Sequence, residues 1–443
     1  MKRLIYRSLR VFSSVQEALR SRLTGAGWLV LGAAALGAAA GIDTNQTVTY
    51  RAFAFLALLL ATAWLASLVA KPRVEASRDL PRYASAGTAF AYRVTLVNRA
   101  GRPLADAGVG ERFADPRPSF AEWLSAREPG EQKRNAFDRA LGYFRWRWCI
   151  ERRLPRWRDD TPVPLLAPGE RRTIELSMTP RRRGRLELDA IRVACPEPLG
   201  LAKRLAWVPV PGRVTVLPER YAIPPLALAG RRKFQRGGVS LASAIGESEE
   251  LIGLRDYRAG DPPRKVHWKS YARLGKPVVR EYQDEFFERH SLILDTGRAQ
   301  GEDAAFEAAV AIAASFVYTI DTLECLLDLL FVGEAVHSYT TGRGQANAEH
   351  LLEVLAAVAP SAPAEFGQLA RLVRARAGEL ASVILVLVHW DDERRELAEA
   401  LLAAGVEVRV LLACLPEERP ADLPPWVAAL HPGEIEAGLA RLA

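Results

Sequence analysis

The chain has 443 residues, enough for two or three domains, and 49% of them are hydrophobic, so a sizeable core is available. Its formal charge of +8 is a small surplus for that length and is no argument for nucleic acid: basic residues beside membrane spans account for it, and no DNA- or RNA-binding motif is visible. The four cysteines, Cys149, Cys195, Cys325 and Cys414, have neither CxxC nor zinc-set spacing and read as reduced thiols of a body facing the cytoplasm.

Residues 1–24 carry Lys2, Arg3, Arg7, Arg10, Arg20 and Arg22 and read as a cytoplasmic N-terminal segment. Gly25 to Gly41, GAGWLVLGAAALGAAAG, has no charge and is close to spanning length; Ala52 to Ala70, AFAFLALLLATAWLASLVA, is the stronger candidate. The polar IDTNQTVTYR joins them, so residues 25–70 read as a transmembrane helical hairpin whose small residues let the two helices pack closely. Lys71, Arg73, Arg78 and Arg82 follow the second span, while the connection holds only Arg51, so the positive-inside rule puts both termini in the cytoplasm. A cleaved signal peptide is the competing reading; the long basic stretch before the first span and the second span close behind it argue against it.

From residue 71 to about 220 the pattern is short strands and turns. AYRVTLVNRAG alternates and breaks at Asn98-Arg99-Ala100-Gly101, RTIELSMTPRRRGRLELDAIRVACPEPLG holds two or three more strands, and RVTVLPE closes the region. This predicts a β-sandwich of immunoglobulin-like kind. Residues 112–164 are an insertion, in which AFDRALGYFRWRWCIERRLPRW sets Phe137, Leu141 and Phe144 on one helical face amid many arginines. Two readings stand: an interfacial helix on anionic lipid, or aromatics packed on the sandwich with the arginines toward water.

Residues 221–285 hold the densest polar stretch. Gly246 to Gln283 contains eight Lys/Arg, six Asp/Glu, one His and four aromatics, with no steady helical or strand period. Asp261 suits an N-cap, Pro262 and Pro263 a first helical turn and Gly275 a C′ stop, which predicts a helix from about Pro262 to Leu274. On it Lys265, Lys269, Arg273 and Lys276 make a basic stripe, while His267, Tyr271 and Leu274 share another side that packs down. GESEEL upstream offers carboxylates to these cations, and PVVREYQDEFF downstream is extended.

The run LIGLRDYRAGDPPRKVHWKSYARLGKPVVREY resembles the signature of the bacterial family called domain of unknown function 58. The family's general layout is similar too: membrane segments, a β-rich domain, this signature, then a von Willebrand factor A-like domain. The resemblance marks Arg255, Asp256, Tyr257, Gly260, Asp261, Arg264, Lys265, His267, Trp268, Lys269, Arg273, Lys276 and Arg280 as a binding segment. It also implies association with MoxR-type AAA+ ATPases in chaperone-like maturation of other proteins.

In residues 286–443 strand and helix alternate: SLILDT, a helix from about Asp303, CLLDLLFV, VHSYTT, two helices, ASVILVLVHW, DERRELAEALLAAG, VEVRVLLAC and a last short helix. This predicts a parallel sheet with helices on both faces, as in a von Willebrand A-like fold, and a multidomain α+β organisation for the whole chain. Ligands of such sheets sit beyond the carboxyl ends of the strands. Asp295 ends SLILDT and Asp391 follows ASVILVLVHW, which makes the two carboxylates candidates for Mg²⁺. The adhesion-site pattern D-x-S-x-S is degenerate, since Asp295-Thr296-Gly297-Arg298-Ala299 lacks both serines and adds a cation; Thr340 or Thr341 is a loose candidate for the loop threonine. The alternative is Asp295 held by backbone N–H groups of the next turn or helix start, with no cofactor.

No Walker A, GxSxG, HExxH or GxGxxG motif is present. Three functions remain. The first is a non-enzymatic, membrane-anchored interaction or adaptor protein of the bacterial inner membrane that offers its basic stripe to an acidic partner. The second is an enzyme acting on an anionic substrate through Arg255, Asp256 and His267, with His267 as general base. The third is an envelope structural protein that touches membrane lipid through the insertion.

Overall fold

A computed structural model describes the chain except residues 41–46, 70, 129, 225–234, 237–249, 262, 284–285, 298–302, 321–324, 334, 343–344, 362–365 and 443. It divides into two units, Met1–Glu219 and Arg220–Ala443.

The first unit opens with three helices, α1 (Lys2–Arg22), α2 (Gly25–Ala40) and α3 (Thr47–Val69). Val48–Val69 is long and apolar enough to cross a membrane, and Gly25–Ala39 is a shorter apolar helix. The second apolar helix begins before the expected Ala52, so half of IDTNQTVTYR is helical; the other half lies outside the described residues. α2 and α3 approach through a small residue: a Cβ on Gly37 would stand 3.4 Å from that of Phe53.

Strands β1 (Val74–Asp79), β2 (Tyr83–Ser85), β3 (Phe90–Asn98) and β4 (Ala107–Phe113) follow. After the insertion helices α4 (Phe120–Ser125), α5 (Ala136–Leu141) and α6 (Tyr143–Arg153) come β5 (Arg156–Trp157), β6 (Thr161–Val163), β7 (Arg171–Thr179), β8 (Gly184–Pro196) and β9 (Lys203–Leu217). One sheet has the order β1-β3-β7-β5 and the other β2-β9-β8-β4-β6. The alternation read in AYRVTLVN puts Tyr92, Val94 and Leu96 inward, where they join Leu176 and Met178 and meet Val109, Ile191, Val193, Val214 and Val216 of the second sheet. The two sheets thus form a sandwich around one core.

The insertion is not one amphipathic helix. Gly142, with φ of 63°, ends α5 and starts α6, so Phe137 and Leu141 are separated from Phe144 by a left-handed turn. Gly142 is also fixed by contact: Trp123 Nε1 donates to its carbonyl at 3.1 Å, and a Cβ there would fall 2.8 Å from the Trp123 ring. The buried aromatics Trp123 and Trp146 pack neither on the sandwich nor outward. They close on Ile5, Tyr6 and Leu9 of α1, with Phe120, Tyr143 and Ile150 around them. The Tyr6 hydroxyl donates to the Pro118 carbonyl at 3.1 Å, and Arg117 reaches Glu17 at 2.7 Å.

The β8–β9 turn is stapled to the apolar helices. Buried Glu197 accepts the N–H groups of Leu199 and Leu201 at 2.5 and 2.7 Å, which curls PEPLGLA into a compact tip. Thr24 donates its N–H to the Leu201 carbonyl at 3.0 Å and its hydroxyl to the Gly200 carbonyl at 2.6 Å. Leu201 and Ala202 pack with Ala63, Val30 and Leu59. A Cβ on Gly27 would sit 2.1 Å from the Leu201 oxygen, whereas nothing lies within 4 Å at Gly32. Gly27→Ala is therefore expected to destabilise the first unit by about 1–3 kcal/mol and Gly32→Ala to leave it unchanged. Thermal melts of the two variants in detergent check this.

The second unit contains β10 (Gln235–Arg236), β11 (Glu250–Asp256), α7 (Trp268–Leu274), β12 (Val278–Gln283), β13 (Phe286–Leu294), α8 (Asp303–Thr319), β14 (Cys325–Val332) and β15 (Val336–Thr341). It continues through α9 (Gln345–Ala357), α10 (Phe366–Arg376), β16 (Ser382–Leu387), α11 (Asp392–Ala403), β17 (Glu407–Ala413), β18 (Val427–Leu430) and α12 (Ile435–Ala440). β11 and β12 pair as an antiparallel ribbon; the main sheet has the order β15-β14-β13-β16-β17-β18, with β10 on β13. β14, β13, β16, β17 and β18 are parallel, and β15 is antiparallel to β14. Alternate residues such as Ile293, Val383, Leu385 and Leu412 pack on α10 and α11, while α8 lies against β13, β16 and β17.

Candidate functional site

The signature segment forms the β11–β12 ribbon and the chain between its strands. The expected helix from Pro262 is replaced by a 3₁₀ turn at Pro263–Lys265 and a helix that starts only at Trp268. Tertiary pairing causes this. Val266 bridges Val279, and the His267 N–H donates to the Val278 carbonyl at 2.8 Å, so both residues are drawn into the ribbon before the helix begins. Gly275, with φ of 66°, ends the helix as its position predicted. Lys265 and Lys276 therefore flank α7 rather than continue a stripe along it.

Val266, Val278 and Val279 form the buried base of the segment. Above it, Arg255 grips Asp261 with two hydrogen bonds, Nη1 to Oδ2 at 2.7 Å and Nη2 to Oδ1 at 2.8 Å. The Arg258 N–H adds a third at 2.9 Å. The Arg255 bonds foremost, with that N–H behind them, hold the Asp261 carboxyl down to about 2. Asp261 thus closes a loop instead of capping a helix, and Gly260 supplies the φ of 108° that the loop needs. Lys276 pairs with Asp256 at 3.0 Å, and His267 Nδ1 lies 2.7 Å from the Ser270 hydroxyl. Each member of the Arg255, Asp256 and His267 group is engaged with a different partner. The carboxylates expected from GESEEL at Glu247 and Glu249 lie outside the described residues.

This framework leaves an apolar and cationic surface in water. Trp268 is 64% exposed, Leu274 61% and Tyr271 42%, contrary to the expectation that Tyr271 and Leu274 pack down. The Trp268 and Tyr271 rings meet edge to face at 6.0 Å. Tyr257 is exposed as well, and so are Arg258, Arg264, Lys269, Arg273 and Arg280.

Asp295 and Asp391 do come together, and Arg394 lies between them. Its Nε and Nη2 donate to Asp295 at 2.7 and 3.0 Å, and its Nη1 to Asp391 at 2.5 Å. The guanidinium is buried, 4.2 Å from the Phe366 ring centroid. Burial works to lower its pKa, but the bonds and charge of Asp295, joined by Asp391, outweigh that and raise it. Asp295 also accepts the Gly297 and Val388 N–H groups at 3.0 and 3.3 Å, and Asp391 caps α11. A Mg²⁺ ion at these carboxylates would have to displace a cation already bonded to both. Arg298 and Ala299 lie outside the described residues. Thr340 serves a different pair, donating at 2.6 Å to Asp328, which Arg289 holds. Among the described residues no three His, Cys, Asp or Glu side chains gather as a metal set.

Residues 253–428 match the family described as protein of unknown function DUF58. The match takes in most of the signature ribbon and the parallel sheet as far as the first half of β18. The chain is also similar to the uncharacterized protein YeaD of Bacillus subtilis (strain 168), with 23% identity over 266 residues. That stretch is 58% of this chain and 63% of the relative, so the chain covers less than two thirds of the relative's length. Among solved structures, the CARDB domain of a Pyrococcus furiosus protein aligns at 12% identity over 34% of this chain and 92% of its own, with a TM-score of 0.19. An alpha-2-macroglobulin of E. coli aligns at 12% identity over 37% of this chain and 8% of its own, with a TM-score of 0.18. Scores this low add nothing to the sandwich topology described above.

Proposed function

We propose that the protein is a membrane-anchored interaction or adaptor protein whose signature ribbon docks an acidic partner, a MoxR-type AAA+ ATPase, in chaperone-like maturation of other proteins. On this reading α2 and α3 cross the bacterial inner membrane as a hairpin, both termini face the cytoplasm, and the second unit is a von Willebrand A-like domain. The long apolar helix Val48–Val69, the cations flanking the helix pair and the parallel sheet with its antiparallel edge strand support it.

The observation that carries the proposal is Trp268 standing in water beside Tyr271, on a segment that also exposes Arg264, Lys269 and Arg273. A large exposed aromatic among cations is the composition of a binding hot spot, and cations around it steer an acidic surface. Trp268→Ala is expected to weaken capture of a purified MoxR-type ATPase by about tenfold or more, and Lys269→Glu with Arg273→Glu to abolish it at low salt. Capture unchanged in both variants would sink the proposal.

A further inference from the structure

α1 has two apolar faces, and only one of them is covered. Ile5, Tyr6 and Leu9 close the aromatic cluster with Trp123 and Trp146. Leu4, Val11, Phe12 and Val15 are 67%, 63%, 55% and 52% exposed. At about 100° per residue, Leu4, Val11 and Val15 lie within about 40° of one another, Phe12 borders them, and the centre of the stripe is about 140° from Leu9. A contiguous bare stripe of this kind marks a contact surface.

Charge and position say what covers it. α1 carries Lys2, Arg3, Arg7, Arg10, Arg20 and Arg22 against the single acid Glu17. A second copy would bring a like-charged helix against it, whereas an anionic lipid surface complements both the stripe and its cations. The helix ends at Arg22, just ahead of α2, and the Arg22 guanidinium stands 5.4 Å from the ring centroid of Trp64, near the C-terminal end of α3. α1 is therefore tethered beside the end of the helix that is long and apolar enough to cross a membrane.

We propose that α1 is an interfacial helix, which lays Leu4, Val11, Phe12 and Val15 into the headgroup–acyl boundary of an anionic bilayer. The inference rests on the reading that Val48–Val69 spans that bilayer. It moves the lipid contact from the Trp/Arg-rich insertion, whose buried tryptophans are engaged on the opposite face of α1, to α1 itself.

The test uses the full chain reconstituted into phosphatidylcholine vesicles with and without phosphatidylglycerol. A polarity-sensitive fluorophore is attached in turn at Val11→Cys, Ser14→Cys and Leu58→Cys; the native cysteines are all buried, and the unsubstituted chain gives the background. With phosphatidylglycerol present, an acyl-chain quencher is expected to dim the labels at positions 11 and 58 at least about twofold more than the label at 14, and the effect at position 11 to shrink without the anionic lipid. Quenching at 58 but no more at 11 than at 14 overturns the inference and leaves the membrane span standing. No quenching at 58 removes the span and the inference together. A label at 11 shielded from both aqueous iodide and the lipid quencher means that protein covers the stripe, which also overturns it.

Discussion

Replacing Arg394 with alanine is expected to lower the stability of the second unit by about 3–5 kcal/mol and its melting temperature by about 10 °C. The reason is the state of what remains. Asp295 is 1% exposed and would be left with only the Gly297 and Val388 N–H groups to hold it. Breaking one side of a buried pair costs far more than removing both, so Arg394→Met combined with Asp295→Asn should recover most of the loss. Arg394→Lys should fall between, because an ammonium cannot reproduce the two-pronged grip on Asp295 together with the bond to Asp391. The same variants test for a divalent ion. Mg²⁺ should leave the melting temperature of the unsubstituted protein unchanged and raise that of Arg394→Ala, in which two carboxylates face one gap. A Mg²⁺ shift in the unsubstituted protein would show that the guanidinium does not hold the site.

Arg394 also marks the limit of what is legible in the sequence. Its neighbours are readable: CLLDLLFV and VHSYTT correspond to β14 and β15 residue for residue, because one is an apolar run broken only by Asp328 and the other a short run set off by turns. The spacing of Asp391 and Arg394 is visible as well, but an acid and an arginine three apart at a helix start usually face water. Only the fold buries the arginine of this pair against Asp295 at the end of β13, while Asp391 stays half exposed. β18 is four residues between prolines, too short to show a period. α1 is hidden for a different reason. Its two apolar faces, Ile5 with Leu9 and Leu4 with Val11 and Val15, blur into each other among the arginines, so no single stripe stands out. In the signature segment the local signals at Asp261 and Gly275 compete with strand pairing from β12. Pairing wins at Val266 and His267, and the cap signal wins at Gly275. The outward position of Trp268 and Tyr271 follows from that displaced helix start and from nothing local.

The sandwich holds a second buried ion pair that behaves differently from Arg394 with Asp295. Arg78 and Glu111 are each 1% exposed at the side chain and stand 3.5 Å apart. Tyr92 donates to Glu111 at 3.0 Å and Arg78 to the Val210 carbonyl at 2.6 Å, while Glu111 Oε2 and Arg78 Nε find no hydrogen-bond partner. The pairing is too loose to offset the loss of water. Burial therefore pushes the Glu111 carboxyl up to about 7, against the pull of Arg78 and Tyr92. The folded state then holds this proton more tightly than the unfolded chain, whose carboxyl titrates near 4.5. The resulting stabilisation is complete below pH 4.5 and is lost as the pH rises through about 7, a decline on the order of 3 kcal/mol. Glu111→Leu should cost about 3–5 kcal/mol, since it strands a guanidinium that cannot shed its proton. Arg78→Met with Glu111→Gln removes both charges and keeps an acceptor for Tyr92, so above pH 7 it should equal or exceed the unsubstituted protein by up to about 4 kcal/mol. Urea unfolding from pH 4.5 to 8 reads both effects. His290, whose pKa burial lowers, adds a slope of opposite sign as the pH falls below its ordinary value of 6.5, so the decisive quantity is the difference between the two proteins. If that difference is flat across the window, Glu111 is ionised throughout it, and the pair is held as firmly as Arg394 holds Asp295.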